Sequence, residues 1–322
     1  MKQKRLGGLC AAAIFLLCAL MTGFYLIAGY GAYLDSDMAS ELALASHLAK
    51  EGALISSTWA YSTEVRVLST QLVFTPLMAL FPHNWRLVRT LGCLILQAAL
   101  AASAYFCGRS LGARKRFALL FAGLSISACS VVYAQMITIG AYYVPHAVLT
   151  NLYVGLTARL MTERKHGRRR GILALLCTLS VLMGASSIRY LFCATIPAAA
   201  AGVWAYLFPA GNEAVPREWK DKVGFLLTLT GLAFSVSGFL IGQKILPKIC
   251  DYDAARYGGV RLSAFTSADM PEMMQQALGG LARLMGYSEG SVLLSVHGLA
   301  SVGALLLPAA AAILMGRALK AA

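Results

Sequence analysis

Residues Met1–Tyr30 read MKQKRLGGLCAAAIFLLCALMTGFYLIAGY: three basic side chains, then an apolar stretch. That stretch runs for about 25 residues, whereas the apolar core of a secretory signal is about 7–15 long and a bilayer takes about 20 to cross. The segment therefore reads as a membrane helix entered from a basic cytoplasmic end. A lipoprotein signal at LGGLC fits poorly, because Leu9 stands where a small residue is needed. The whole chain agrees: 58% of its 322 residues are hydrophobic and 13% charged, at a mean hydropathy of +0.67, against about 25% charged in a soluble domain. The expectation is an all-α, multi-pass membrane protein forming one transmembrane domain over residues 1–322.

Working outward, apolar runs of near-spanning length fall at 6–30, 86–108, 117–138, 144–161, 171–189, 190–208, 223–246 and 291–315. Eight crossings are expected. The fifth and sixth abut at SSIRYL, but one helix over 171–208 would be about 57 Å long, so a tight turn at Arg189 must divide it. The run Val67–Phe81 is short and contains Pro76, and reads as an interfacial or re-entrant segment. This parity leaves two sizeable external regions, 31–85 and 247–290, and places both termini in the cytoplasm of a plasma-membrane protein.

The net charge of +14 suits nucleic acid only if the basic residues are free to form a patch. Instead, 17 of the 28 Lys and Arg lie in MKQKR, RSLGARKR, ERKHGRRR, PAGNEAVPREWKDK and RALKAA, all on the inner side of the map, while ten of the 14 acids lie outside. The charge follows membrane orientation and nucleic acid is discarded as a partner. Seven of the eight cysteines sit in apolar runs as small packing residues, and Cys250 has no external partner, so no disulfide or CxxC metal motif is expected.

Directly after the first span comes YLDSDMASELALASHLAKEG, Tyr33–Gly52. Met38–Glu51 reads as an amphipathic surface helix, with Met38, Leu42, Ala45 and Ala49 on one face, Glu41, His47, Lys50 and Glu51 mostly elsewhere, and Gly52 as its stop. Asp37 then occupies the N-cap position, where a carboxylate accepts backbone hydrogens. One cap suffices, so Asp35 has no structural duty in this reading. Two acids so close can instead share a divalent cation such as Mg or Mn, or separate in pKa so that one serves as a base.

An in-to-out first helix, acids at its outer end, a surface helix carrying Asp37, Ala39, Ala45, His47 and Gly52, the aromatic turn WAYSTEVR and the half-length segment FTPLMALF together resemble the GT-C membrane glycosyltransferases, which include protein O-mannosyltransferases and lipid A aminoarabinose transferases. The resemblance covers about residues 1–110, and beyond that only topology. The usual Asp-Glu pair is Asp-Ser-Asp here. The resemblance implies transfer of a sugar from a polyprenyl-phosphate donor to a lipid, glycan or protein acceptor at the external face, with Asp37 or Asp35 as base or metal-linked acceptor ligand.

A lipid-phosphate donor needs cations at the outer interface. Arg189 is the first candidate, since an arginine between two apolar spans is costly unless it faces a cavity or a partner; the alternative is snorkelling to headgroups. Tyr190 beside it can border the same site. Glu64 can orient an acceptor hydroxyl or simply pair with Arg66 on the surface. Arg86 and Arg89 at the start of the second span are interfacial anchors or phosphate ligands. His146, with Tyr142 and Tyr143, can line a sugar site or belong to an aromatic belt. His297 reads as a helix-packing residue, and the helical half of the second loop is amphipathic.

Two rivals remain. A transporter or lipid flippase predicts inverted repeats and broken helices, neither of which is visible in the sequence. A non-catalytic relative would bind a polyprenyl lipid without transferring its sugar.

Overall fold

The computed structural model describes residues 2–29, 34–61, 65, 67–127, 130–163, 165–207, 217–251, 270–284, 286–287, 295, 298–299, 301–303 and 306. Every secondary-structure element among them is helical. In chain order they are α1 Lys2–Ala28, α2 Ser36–Glu51, α3 Gln71–Leu80, α4 Trp85–Ser110, α5 Lys115–Ile126, α6 Val131–Tyr133 leading into a π-helical turn Ala134–Ile139, α7 Val144–Thr162, α8 His166–Ser186, a second π-helical turn Leu191–Thr195 leading into α9 Ile196–Leu207, α10 Arg217–Ile249 and α11 Met270–Leu284.

Among the described residues, four helical segments are long and apolar enough to cross a membrane: Leu6–Ala28, Trp85–Ser110, His166–Ser186 and Leu226–Ile249. A fifth is possible if α5 and the Val131–Ile139 segment count together, although they meet at 85°. The run 117–138, expected as one span, is therefore broken. At the bend Ser130 caps the new helix by accepting from Tyr133 N at 3.0 Å, and the Tyr133 hydroxyl donates to the Ser125 backbone carbonyl, so side chains compete with the helical ladder there. The apolar stretch Leu191–Trp204 is shorter than the crossing expected at 190–208. α7 has the length but carries His146, Asn151 and Arg159. The run 291–315 and His297 lie largely or wholly outside the described residues.

Packing follows small residues. α8 and α10 form the most extensive pair, and Gly184, Gly238 and Gly242 sit where an added Cβ would meet the backbone of the opposite helix; such glycines let membrane helices approach closely. α4 packs on α5 and α7, and α1 on α5. One core joins α1 to α5, with Met38, Leu42, Phe74, Met78, Val88 and Leu96 at its centre, and a second joins α7 to α8 around Tyr153, Leu160 and Met183. The outer faces of the long helices stay apolar, as on α1 at Leu16, Leu20 and Phe24, which suits lipid as solvent.

The helix ends gather on one side. Arg86 donates to Ile27 O at the end of α1, Leu68 N to Ser186 Oγ at the end of α8, and Tyr61 N to Asp251 O just past α10. This side holds α2, α3 and the start of α4, and it is the one the sequence map makes external. As expected, α3 is a half-length helix that buries only Phe74 and Met78; the helix break between α8 and the second π-helical turn falls at Ser187–Ile188 rather than at Arg189, which is itself helical.

Candidate functional site

The site grows from the start of α2. The helix begins at Ser36, so its cap is Asp35 and not Asp37: Asp35 Oδ1 accepts from Met38 N at 2.8 Å, its backbone is extended, and Asp37 lies exposed in the first turn. Gly52 ends the helix with φ at 66°, as expected of a C-terminal glycine. Asp35 also accepts from the Tyr142 hydroxyl at 2.5 Å and from Gln135 Nε2 at 3.3 Å. Partial burial works against ionisation of Asp35, but hydrogen bonds from Tyr142, the Met38 amide, Gln135 and the Asp37 amide outweigh it and hold the carboxyl below its ordinary value. Burial and the Asp35 carboxylate push the Tyr142 phenol well above its usual range.

Tyr142 is aimed by an unusual turn. The π-helical turn ends at Gly140, where a Cβ would overlap Gln135 O and the Tyr142 ring. Ala141 follows with φ at 56° and is fully buried. A non-glycine residue in that region costs about 1–2 kcal/mol and persists only where the surroundings hold it. The holder is Arg89: Nε and Nη2 donate to Ile139 O at 3.2 and 2.9 Å, Nη2 also reaches Gly140 O, and the guanidinium lies 4.9 Å from the Phe74 ring centroid. Nη1 pairs with Glu41 Oε2 at 2.7 Å, and Glu41 Oε1 accepts from Thr70 at 2.6 Å. Cys93 Sγ donates to Ile139 O at 3.2 Å and Gln97 Nε2 to Ile137 O at 2.6 Å. Carbonyls released by the irregular turn are thus satisfied from α4, the condition for such backbone inside a membrane protein.

Arg89 is accordingly a fully buried structural residue whose nitrogens are engaged by the chain itself, neither an interfacial anchor nor an open phosphate ligand. Glu41, expected on the outer face of α2, turns inward. The signal was present: three residues after Met38 is the same helical face.

Tyr143, next to Tyr142, lies under Arg189, whose guanidinium carbon is 5.5 Å from the ring centroid. His146, one turn on, stacks on Tyr190 at 4.7 Å and 13° and approaches Tyr143 at 5.8 Å. Arg189 is half-buried and Tyr190 buried. Four residues singled out from sequence, Tyr143, His146, Arg189 and Tyr190, therefore form one cluster. Pro145 at the first turn of α7 suits an N-terminus there and fixes the entry of that helix. Arg86 is exposed and donates to Ile27 O at 3.3 Å. Glu64 and Arg66 lie outside the described residues.

Farther along α2, His47 Nε2 lies 2.8 Å from Thr58 Oγ1, 3.0 Å from Glu51 Oε1 and 3.1 Å from Ser56 Oγ, with Trp59 against its ring. Hydrogen bonds from Thr58 and Ser56 keep the Glu51 carboxyl low. All these contacts converge on one ring nitrogen, so the cluster ties the loop to the helix rather than forming a relay. Between α2, this loop and α3 lies a half-open cavity of 120 Å³ bordered by Glu41, Leu48, Tyr61, Thr70 and Gln71.

The geometry adds no support for the divalent cation expected between Asp35 and Asp37. Asp35 accepts from three hydrogen donors, and among the described residues no three His, Cys, Asp or Glu side chains converge as a metal site. No family model, curated protein or solved structure matches the chain.

Proposed function

We propose that the chain is a membrane glycosyltransferase of the GT-C kind, with eight crossings and cytoplasmic termini, that moves a sugar from a polyprenyl-phosphate donor to an acceptor hydroxyl at the external face. One observation carries the reading: the dipeptide Tyr142–Tyr143 joins the acidic start of α2 to the arginine of the α8–α9 turn, with Tyr142 on Asp35 and Tyr143 under Arg189. An acid and a cation far apart in sequence flank one short segment on the side of the molecule that holds α2 and α3.

Each group then has a task. Asp37, exposed one helical position past Ser36, takes the acceptor proton as its oxygen attacks the anomeric carbon. The bond from that carbon to the phosphate oxygen breaks, and the polyprenyl phosphate leaves with the electron pair, its charge met by Arg189. Asp35 anchors the helix start, since a carboxyl held low and saturated with hydrogen bonds is a poor base. Tyr143, Tyr190 and His146 offer ring faces to the sugar. The test is transfer of labelled sugar from a panel of polyprenyl-phosphate donors in proteoliposomes: Arg189→Lys keeps the charge but loses the planar fork, so donor affinity should fall while protein yield holds. Unchanged affinity would remove Arg189 from the donor site.

A second reading, transport or lipid flipping, gains support from the 85° break between α5 and the Val131–Ile139 segment, since broken helices mark transporter binding sites. Against it, the carbonyls at Ile137, Ile139 and Gly140 are occupied by Gln97, Cys93 and Arg89. Flipping of a fluorescent polyprenyl phosphate without sugar transfer would favour transport.

A further inference from the structure

We infer that α11 is an interfacial helix whose apolar face inserts into the outer leaflet of the bilayer. At 100° per residue, Met270, Met273, Met274, Ala277, Leu278 and Leu281 fall within an arc of about 140°, and Glu272, Gln275, Gln276 and Arg283 lie opposite. The apolar residues are exposed, Met274 by 58% and Leu278 by 62%, and within Met270–Arg283 only Gly279 and Ala282 turn from solvent. In a soluble molecule such a stripe would need a protein partner.

The position of α11 identifies lipid as the occupant. Its packing is against α6, the first turn of the bent segment that ends at Ile139, and there Val131 and Val132 are themselves 62% and 41% exposed. The α11 stripe thus continues the apolar outer surface of the membrane helices. α11 packs on α6, whose segment runs on to the Ile139 and Gly140 carbonyls held by Arg89 at the start of α4, so it lies on the same side as α2. Glu272 and Arg283 cancel, and the helix itself carries no cluster of basic residues. Attachment therefore rests on apolar insertion, to a depth of about 5–10 Å, with no requirement for anionic lipid.

The test uses the full chain in nanodiscs of phosphatidylcholine, and again with half the lipid replaced by phosphatidylglycerol. Nitroxides at Met274→Cys and Leu281→Cys, in a background freed of native cysteines, should be relaxed more by oxygen than by an aqueous nickel chelate, with the order reversed at Gln276→Cys, and both lipids should give the same result. Should the cysteine-free background not fold, radical footprinting of the unaltered chain reads the same face: Met270, Met273 and Met274 should be several-fold less oxidised in nanodiscs than in a free peptide spanning 270–284. Apolar-face probes open to the nickel chelate, shielded from both reagents as under a second protein surface, or lipid-embedded only with phosphatidylglycerol would overturn the inference, as would methionines oxidised at the peptide rate.

Discussion

Tyr142 donates its phenolic hydrogen to Asp35 at 2.5 Å across 107 residues of sequence, and this bond fixes the start of α2 to the turn before α7. A hydrogen bond to a charged group contributes about 1.5–3 kcal/mol, and the lower end applies at this half-exposed carboxylate. Because Asp35 is held below its ordinary value, its contribution is complete above the aspartate pKa of about 3.9 and is lost as pH falls through the folded value. Tyr142→Phe should lower stability by about 1.5 kcal/mol at pH 7, and the gap to the parent should close in acid below that window. Melting in detergent at both pH values checks this; a gap independent of pH would mean that the bond does not favour the carboxylate.

Glu41 and Arg89 make a different prediction. Arg89→Met strands the Glu41 carboxylate and the Gly140 carbonyl and leaves Ile139 O only the weak Cys93 thiol donor, so the loss should be about 3–5 kcal/mol. Glu41→Gln combined with Arg89→Met removes the stranded charge but not the stranded carbonyl. The double variant should recover only part of the loss, as read by denaturation of the purified chain.

These two pairs show what sequence patterning can reach. The α2 helix, its Gly52 stop and its buried Met38, Leu42 and Ala45 follow from periodicity and were legible. The cap lies two residues from the expected one because Asp35 and Asp37 are equally competent caps, and Tyr142 and Gln135, brought by a distant turn, distinguish them. Arg89 read as an interfacial anchor because the carbonyls it serves lie 50 and 51 residues away and exist only once the helix there is broken. Periodicity registers an apolar span across 117–138 and is blind to the Ser130 cap that starts a new helix within it. Arg189, Tyr190 and His146 were identifiable as costly or amphipathic residues at an interface, while their stacking is a tertiary fact.

The α8–α10 seam should tolerate no side chain. A methyl at Gly238 would overlap Val181 O and one at Gly184 would overlap Ser235 O. Either alanine substitution should cost about 3 kcal/mol, the upper range for overpacking. Gly171→Ala on α8 meets open space and should be neutral or gain up to about 1 kcal/mol from helix propensity. Thermal stability of the three variants in one detergent decides the matter.

Orientation can be read with impermeant maleimide on intact cells. Ser57, exposed in the first loop, and Lys115, exposed at the start of α5, lie on opposite sides of the expected map. Ser57→Cys should label without permeabilisation and Lys115→Cys only after it. Labelling of both from the same side would break the map, and labelling of Lys115→Cys alone from outside would invert it.

The most direct test of the account is sugar transfer by Asp37→Asn. Asp35 is the cap, so the substitution leaves the start of α2 intact, and the variant should insert and melt like the parent. The amide cannot accept the acceptor proton, so transfer from the polyprenyl-phosphate donor should fall by about 10²–10⁴-fold, the range for losing a general base. Equal transfer by Asp37→Asn and parent, or no transfer by the parent from any donor in the panel, would contradict the account.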